Sequence, residues 1–252
     1  MDEKSFVTKK VSSHQDVLKF YDDYAASWDQ RFGQAPSTQH FLDKRWASFL
    51  KLLPRETKAL HALELGVGTG VYIDRAHLLF RHITAVDGAA GMLQELKTKL
   101  QQRRIENVAT LLSDVVVLKG VPDASVDIVY FFGLVEHIVE VDAFFRTLLR
   151  VLKPRGIVIG VMPNRQSPWY SLRKHIRNTG KHCESDRYYG RADVGLWARK
   201  YGFASYDHCY WGCVPAGIKG GIYHLLKLVE RPLELSPLRS FCGGITFKLI
   251  KF

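Results

Sequence analysis

His61-Ala-Leu-Glu-Leu-Gly-Val-Gly-Thr-Gly70 is the stretch on which the reading of this 252-residue chain turns. Apolar residues run straight into three alternating glycines, and helical periodicity follows. Glycine lets the backbone turn with positive φ and lets a ligand lie against bare main chain. The N–H groups that open a following helix have no partner inside it and suit a polar or anionic ligand. One acid, Glu64, stands two residues before the first glycine. A carboxylate there repels a pyrophosphate and attracts a ligand with a cationic end. The spacing also departs from the dinucleotide fingerprint Gly-x-Gly-x-x-Gly, because Val71 holds the place of its third glycine. Both features disfavour a nicotinamide-dependent reductase.

Outward from this turn, short apolar runs alternate with helical segments. The strands expected are Ala59–Leu65, His82–Val86, Val108–Leu112, Val126–Phe132 and Ile157–Met162. Helices are expected near 70–80, 89–102 and 140–153. Leu148–Gly156 reads as a helix end, with Pro154 and Gly156 stopping it. Alternation at this spacing predicts βαβ units, hence a parallel sheet with helices on both faces. Before it, residues 14–31 read as a helix with Val17, Phe20, Tyr21, Tyr24 and Trp28 on one stripe. Residues 38–53 read as a second, opened by Ser37 or Thr38 as N-cap and stopped by Pro54. After Met162 the chain turns basic and aromatic. Further on come a helix at Ala192–Tyr201, a strand at Ala204–Trp211, a helix near 218–230 and a last strand at Ile245–Phe252. In that last strand Ile245, Phe247, Leu249 and Lys251 point one way, and Thr246, Lys248, Ile250 and Phe252 the other.

Composition bounds the function. An apolar fraction of 46% and a charged fraction of 24% are ordinary for a globular chain and exclude disorder as the main state. No run of 18 uncharged apolar residues exists, so no transmembrane helix is expected. MDEKSFVTKK carries acids and lacks an apolar core, so a signal peptide is not expected either, and the expected location is the cytosol. Of the formal net charge of +11, residues 1–149 contribute −1 and residues 150–252 contribute +12. Such a basic part attracts nucleic acid, anionic lipid or an acidic substrate, or simply keeps the surface solvated. The four cysteines, at 183, 209, 213 and 242, form no disulfide framework and lack C-x-x-C spacing. They read as packing residues, and no metal site is expected.

Glu64-x-Gly66-x-Gly68-x-Gly70 resembles motif I of the class I S-adenosylmethionine-dependent methyltransferases. The later stations fall where that family places them. Asp87 and Gly88 end the second strand, where an acid takes the ribose hydroxyls. Ser113-Asp114-Val115 follows the third, near the adenine. Met92 and Phe132 complete the expected cofactor set. Tyr21-Asp-Asp-Tyr-Ala-Ala-Ser-Trp28-Asp29 is similar to the N-terminal segment that folds over the cofactor in the ubiquinone and menaquinone branch. The resemblance covers roughly residues 14–162. It implies an α/β, Rossmann-like three-layer sandwich: a seven-stranded, mostly parallel sheet with an antiparallel last strand, N-terminal helices and a lid-like insert. It implies one methyltransferase domain over 1–252, with a helical cap at 14–53, a cofactor-binding core at 59–162, and a substrate-side lid with the final strands at 163–252.

The expected activity is methyl transfer from S-adenosylmethionine to a small-molecule acceptor, with an acceptor oxygen as the attacking atom. The donor carries its own leaving group, so protein mainly positions and desolvates. A protonated acceptor needs a base, and His137, just after the fourth strand, is the candidate. Trp169, Tyr170, Tyr188, Tyr189, Trp211 and Tyr223 supply aromatic area on the acceptor side, and Arg173, Lys174, Arg177 and Lys181 supply charge. A lipid-like or anionic acceptor fits that composition. Trp169–Arg177 has the basic amphipathic look of an interfacial helix, so peripheral membrane contact through 163–190 is a second expectation. RNA is the disfavoured partner. The turn after strand four reads Tyr-Phe-Phe-Gly-Leu, not the Asn/Asp-Pro-Pro-Tyr/Phe of exocyclic-amine methylation, and no Pro-Cys pair exists for pyrimidine C5 attack. Ribose or guanine methylation, and a fold that binds cofactor without turnover, remain the alternatives.

Overall fold

The computed structural model describes residues 14–32, 35–169 and 187–252. Seven strands form one sheet: β1 (His61–Leu65), β2 (His82–Asp87), β3 (Val108–Leu112), β4 (Val126–Phe132), β5 (Leu152–Pro163), β6 (Phe203–Trp211) and β7 (Gly244–Lys251). Their spatial order is β3-β2-β1-β4-β5-β7-β6. Pairings from β3 through β5 are parallel. The last strand in sequence, β7, runs antiparallel between β5 and β6. The strand order reverses between β1 and β4, which opens a crevice at their C-terminal ends.

Helices cover both faces. They are α1 (His14–Tyr24), α2 (Pro36–Leu52), α3 (Ile73–Ala76), α4 (Ala90–Arg103), α5 (Val141–Val151), α6 (Arg191–Lys200) and α7 (Gly220–Leu235). The period-2 pleat of β4 feeds two cores. Val129 and Phe131 pack with Phe144, Phe145, Trp197 and Phe247, under α5 and α6. Ile128 and Tyr130 pack on the other face with Phe49, Phe80 and Leu96. Burying each such side chain contributes roughly 1.5–3 kcal/mol. The alternation expected for the last strand holds: Ile245, Phe247 and Leu249 enter the first core, while Thr246 faces the other way and its hydroxyl meets Ser48 of α2 at 2.6 Å. No described helix is long and apolar enough to cross a membrane.

Five local expectations are corrected. The helix expected over 14–31 ends at Tyr24, and two 3₁₀ turns follow, Ala25–Ser27 and Asp29–Phe32. Tertiary contacts set that break: Ala25 packs on Ala89 and Met92, and the Asp29 carboxylate accepts from the Thr69 hydroxyl at 2.5 Å. The helix expected at 70–80 is the single turn α3, because Asn107 donates to the carbonyls of His77 and Phe80 and ends it. Neither Ser37 nor Thr38 caps α2. Pro36 opens it, and Ser37 donates its hydroxyl to the Ile218 carbonyl at 2.5 Å. Leu152–Gly156 belongs to β5, with a register shift opposite Val126–Ile128 and Arg155 at φ +62°. The helix before β7 also runs further than expected, to Leu235, through Pro232.

Candidate active site

β1 delivers Glu64 and the glycine turn to the crevice. Gly66, Gly68 and Gly70 all have positive φ, +61°, +56° and +74°. At Gly68 a Cβ would meet nothing closer than Met92 Sδ and Trp28 Nε1, both 3.9 Å away. That bare backbone faces open space, which is the cradle a flat ligand needs. Gly70 serves another purpose. A Cβ there would stand 2.6 Å from Leu96 Cδ1, so this glycine lets α4 close on the turn.

Asp87 at the end of β2 locks the turn. Its Oδ2 accepts from Gly68 N–H at 2.8 Å and its Oδ1 from Ala89 N–H at 2.9 Å. Burial pushes this carboxyl up, while the N–H groups of Ala89, Gly68 and Gly88 pull the other way. Each carboxylate oxygen has a second lone pair, so the group can still accept from a ligand hydroxyl. Glu64 is only 3% exposed. Its Oε2 accepts from the Tyr130 hydroxyl at 2.8 Å. Burial raises its pKa from 4.5 to about 7, opposed by that hydrogen bond. A buried acid kept from ionising gains most from a cationic neighbour.

The 3₁₀ turn Val135–His137, after β4, carries the candidate base. His137 Nε2 and the Tyr21 hydroxyl are 3.0 Å apart. Their rings meet edge to face at 5.6 Å, and Trp28 meets Tyr21 in the same way at 5.3 Å. The N-terminal segment therefore closes over the crevice.

These groups line one cavity of about 480 Å³, within the range of small-molecule sites. Of the residues expected from the sequence, Tyr21, Trp28, Glu64, Gly66 and Gly68 are on its wall. So are Asp87, Gly88, Met92, Val115, Phe132 and His137. Three are not. Gly70 packs against Leu96 as described. Ser113 is buried and donates its N–H to the Asp87 carbonyl at 3.0 Å. Asp114 turns back on its own segment, accepting from Val116 N–H at 2.8 Å.

The opposite wall joins the connection 212–217 after β6, part of the expected substrate side, with residues the sequence did not single out: Phe41 and Arg45 of α2, and Tyr72. The Arg45 guanidinium lies 5.7 and 5.8 Å from the Phe41 and Phe132 ring centres. It is the only lysine or arginine on the described wall. Phe41 and Arg45 carried no signal beyond helical periodicity. Trp211 and Trp169 were expected on the acceptor side and both line the cavity, with Trp169 Nε1 donating to the Cys213 carbonyl at 2.9 Å. Tyr170, Arg173, Lys174, Arg177 and Lys181 lie outside the described residues. Tyr189 packs on Trp197 instead, in a T-shaped pair at 4.8 Å. Tyr223, on the inner side of α7, is buried beside His40. Cys213 and Cys242 are buried with their sulfurs 3.3 Å apart, and no metal-ligating group forms among the described residues.

Comparison with known proteins agrees with this geometry. A methyltransferase domain family matches residues 63–160. That segment runs from β1 to β5 and carries Glu64, the glycine turn and Asp87. A curated relative from Mycobacterium tuberculosis, described as a probable S-adenosylmethionine-dependent methyltransferase, is 32% identical over 117 residues. A similar protein of Mycolicibacterium smegmatis is 30% identical over 105 residues. The chain spans 40% and 38% of the length of these relatives, and the matches cover 46% and 41% of it. The methyltransferase fold extends further. A Thermotoga maritima structure described as a possible histamine N-methyltransferase superposes with TM-score 0.69 at 15% identity, over 93% of this chain and 99% of that one. Haemonchus contortus phosphoethanolamine N-methyltransferase 2 superposes with TM-score 0.66 at 18% identity, over 96% of this chain and 60% of that one. The bare cradle at Gly68 and the buried Glu64 carboxylate fit the cofactor of this domain class.

Proposed function

We propose that this protein transfers a methyl group from S-adenosylmethionine to an oxygen of a small-molecule acceptor held in the cavity. One observation carries the reading. The glycine cradle, the buried Glu64, Asp87 and the Tyr21–His137 pair all meet on the wall of a single cavity. When bound, the cofactor supplies an electrophilic methyl on a good leaving group. Gly66, Gly68 and Gly88 offer backbone against which it lies, Asp87 accepts from its hydroxyls, and Glu64 faces its charge. Tyr21 and Trp28 close the site and keep water out. His137 accepts the acceptor's proton, with the Tyr21 hydroxyl fixing the ring. Arg45 and the aromatic residues Phe41, Tyr72 and Phe132 suit an acceptor with an apolar body and an anionic group.

Titration calorimetry tests the cofactor. Micromolar binding of S-adenosylmethionine and none of NADH is expected, and the reverse result refutes the reading. Demethylated-cofactor release with a panel of phenols, hydroxylated carboxylic acids and amines tests the acceptor atom. Turnover with amines alone would reject the O-methylation.

A further inference from the structure

Helix α7 follows directly from the connection 212–217 that lines the cavity. Its inner side is polar. Glu230 is buried, meeting His40 at 2.6 Å and accepting from Cys213 N–H at 2.7 Å. Glu234 accepts from Lys44 at 2.8 Å and from Gly212 N–H at 2.9 Å. Both acids of the helix therefore turn toward the body of the protein. The outer side is apolar: Ile222, Leu225, Leu228, Val229 and Leu235 are 47–76% exposed. At 100° per residue they span about 140° of the helix, a continuous stripe and not scattered positions. Leu238 and Phe241, in the 3₁₀ turn that follows, are also exposed and extend the patch.

The charges left facing solvent here have one sign. Lys219, Lys227, Arg231 and Arg239 are exposed, and none makes an ion pair among the described residues. Lys227 and Arg231 lie on one flank of the stripe, where long stems can keep their heads in a polar layer. An exposed apolar stripe whose bordering charges are all cations, with the acids drawn inward, complements one kind of partner. It matches a surface that is apolar beneath and anionic above. We propose that α7 and the turn after it dock on an anionic lipid bilayer, the apolar stripe entering the headgroup boundary and the four cations meeting the lipid charges. A protein partner would call for charges of both signs at the rim of the patch, and the exposed charges of the described rim are all cations. This assignment does not rest on the methyltransferase reading. It would place the cavity beside the membrane surface, where a lipid-like acceptor is concentrated.

Vesicle flotation of the full chain tests it, using phosphatidylcholine alone and phosphatidylcholine with one quarter phosphatidylserine. Retention on the anionic vesicles at low salt, little on neutral ones, and release in 0.5 M salt is expected. L225D/L228D should lower retention at least tenfold, and K227Q/R231Q by roughly 30-fold. Leu78→Asp, at an exposed apolar position elsewhere, should change nothing. Because the substituted side chains are exposed, melting temperatures should stay unchanged. Absence of retention on anionic vesicles overturns the proposal, as does equal retention of L225D/L228D. A dimer by light scattering that this double variant abolishes assigns the face to a second copy and overturns it too. A melting temperature lowered by several degrees would show the face packed inside the protein, with the same consequence.

Discussion

Glu64→Gln isolates the electrostatic burden built into the cofactor cradle. In the folded protein burial raises the Glu64 carboxyl to about 7, against 4.5 in an ordinary setting. Between those pH values the folded state holds a proton that the unfolded state has released. Unfolding then releases protons, so stability falls as pH rises through this window. Each pH unit is worth 1.36 kcal/mol, so the loss is roughly 3 kcal/mol between pH 4.5 and 7. Glutamine has nearly the same shape and keeps an acceptor for the Tyr130 hydroxyl, but it cannot ionise. Denaturant unfolding from pH 4.5 to 8 on both proteins without cofactor gives the difference curve, in which all other titrations cancel. E64Q should gain about 3 kcal/mol on wild type across that range. Cofactor binding should show the converse: wild-type affinity rises with pH up to about 7, by as much as tenfold per unit, and E64Q binds weakly at every pH. A stability difference flat with pH would refute the reasoning, because Glu64 would then be ionised without cost in the folded protein.

Four further outcomes are expected. Asp87→Ala should weaken S-adenosylmethionine binding by about 1–3 kcal/mol by calorimetry, through lost charged hydrogen bonds; unchanged affinity would mean the acid faces no ligand. Gly70→Ala, whose Cβ would stand 2.6 Å from Leu96, should cost stability by about 2–4 kcal/mol in denaturant. Gly68→Ala, with open space around it, should cost only about 1–2 kcal/mol of backbone strain yet reduce cofactor affinity more than Gly70→Ala does. Tyr21→Phe should displace the pH profile of turnover and lower kcat more than it raises KM, because the hydroxyl at 3.0 Å from His137 Nε2 tunes the proton acceptor; an unchanged profile would leave the ring as packing alone.

Much of the architecture was legible because it is written locally. A strand that ends in glycines, an acid at the end of the next strand, and short apolar runs between helical stretches each depend on neighbours within a few residues. The α/β sheet, its antiparallel last strand and eleven of the fourteen expected site residues on the cavity wall follow from such signals. Misreadings arose where a distant contact overrode a local preference. Ser37 has the chemistry of a cap but donates to Ile218, 181 positions away. Gly70 completes the motif in sequence, while in space it makes room for Leu96.

By itself, then, the sequence determined the strand–turn–helix pattern, the glycine cradle and the placing of Glu64 and Asp87, since backbone conformation and chain direction act over short range. The tertiary structure alone decided that Tyr21 meets His137 across 116 positions, that Arg45 joins the acceptor wall, and that Glu64 is buried enough to hold its proton. It also decided that both acids of α7 face inward, leaving apolar residues and cations outside. Burial and charge environment depend on what the rest of the chain packs around a side chain, and no local pattern encodes that.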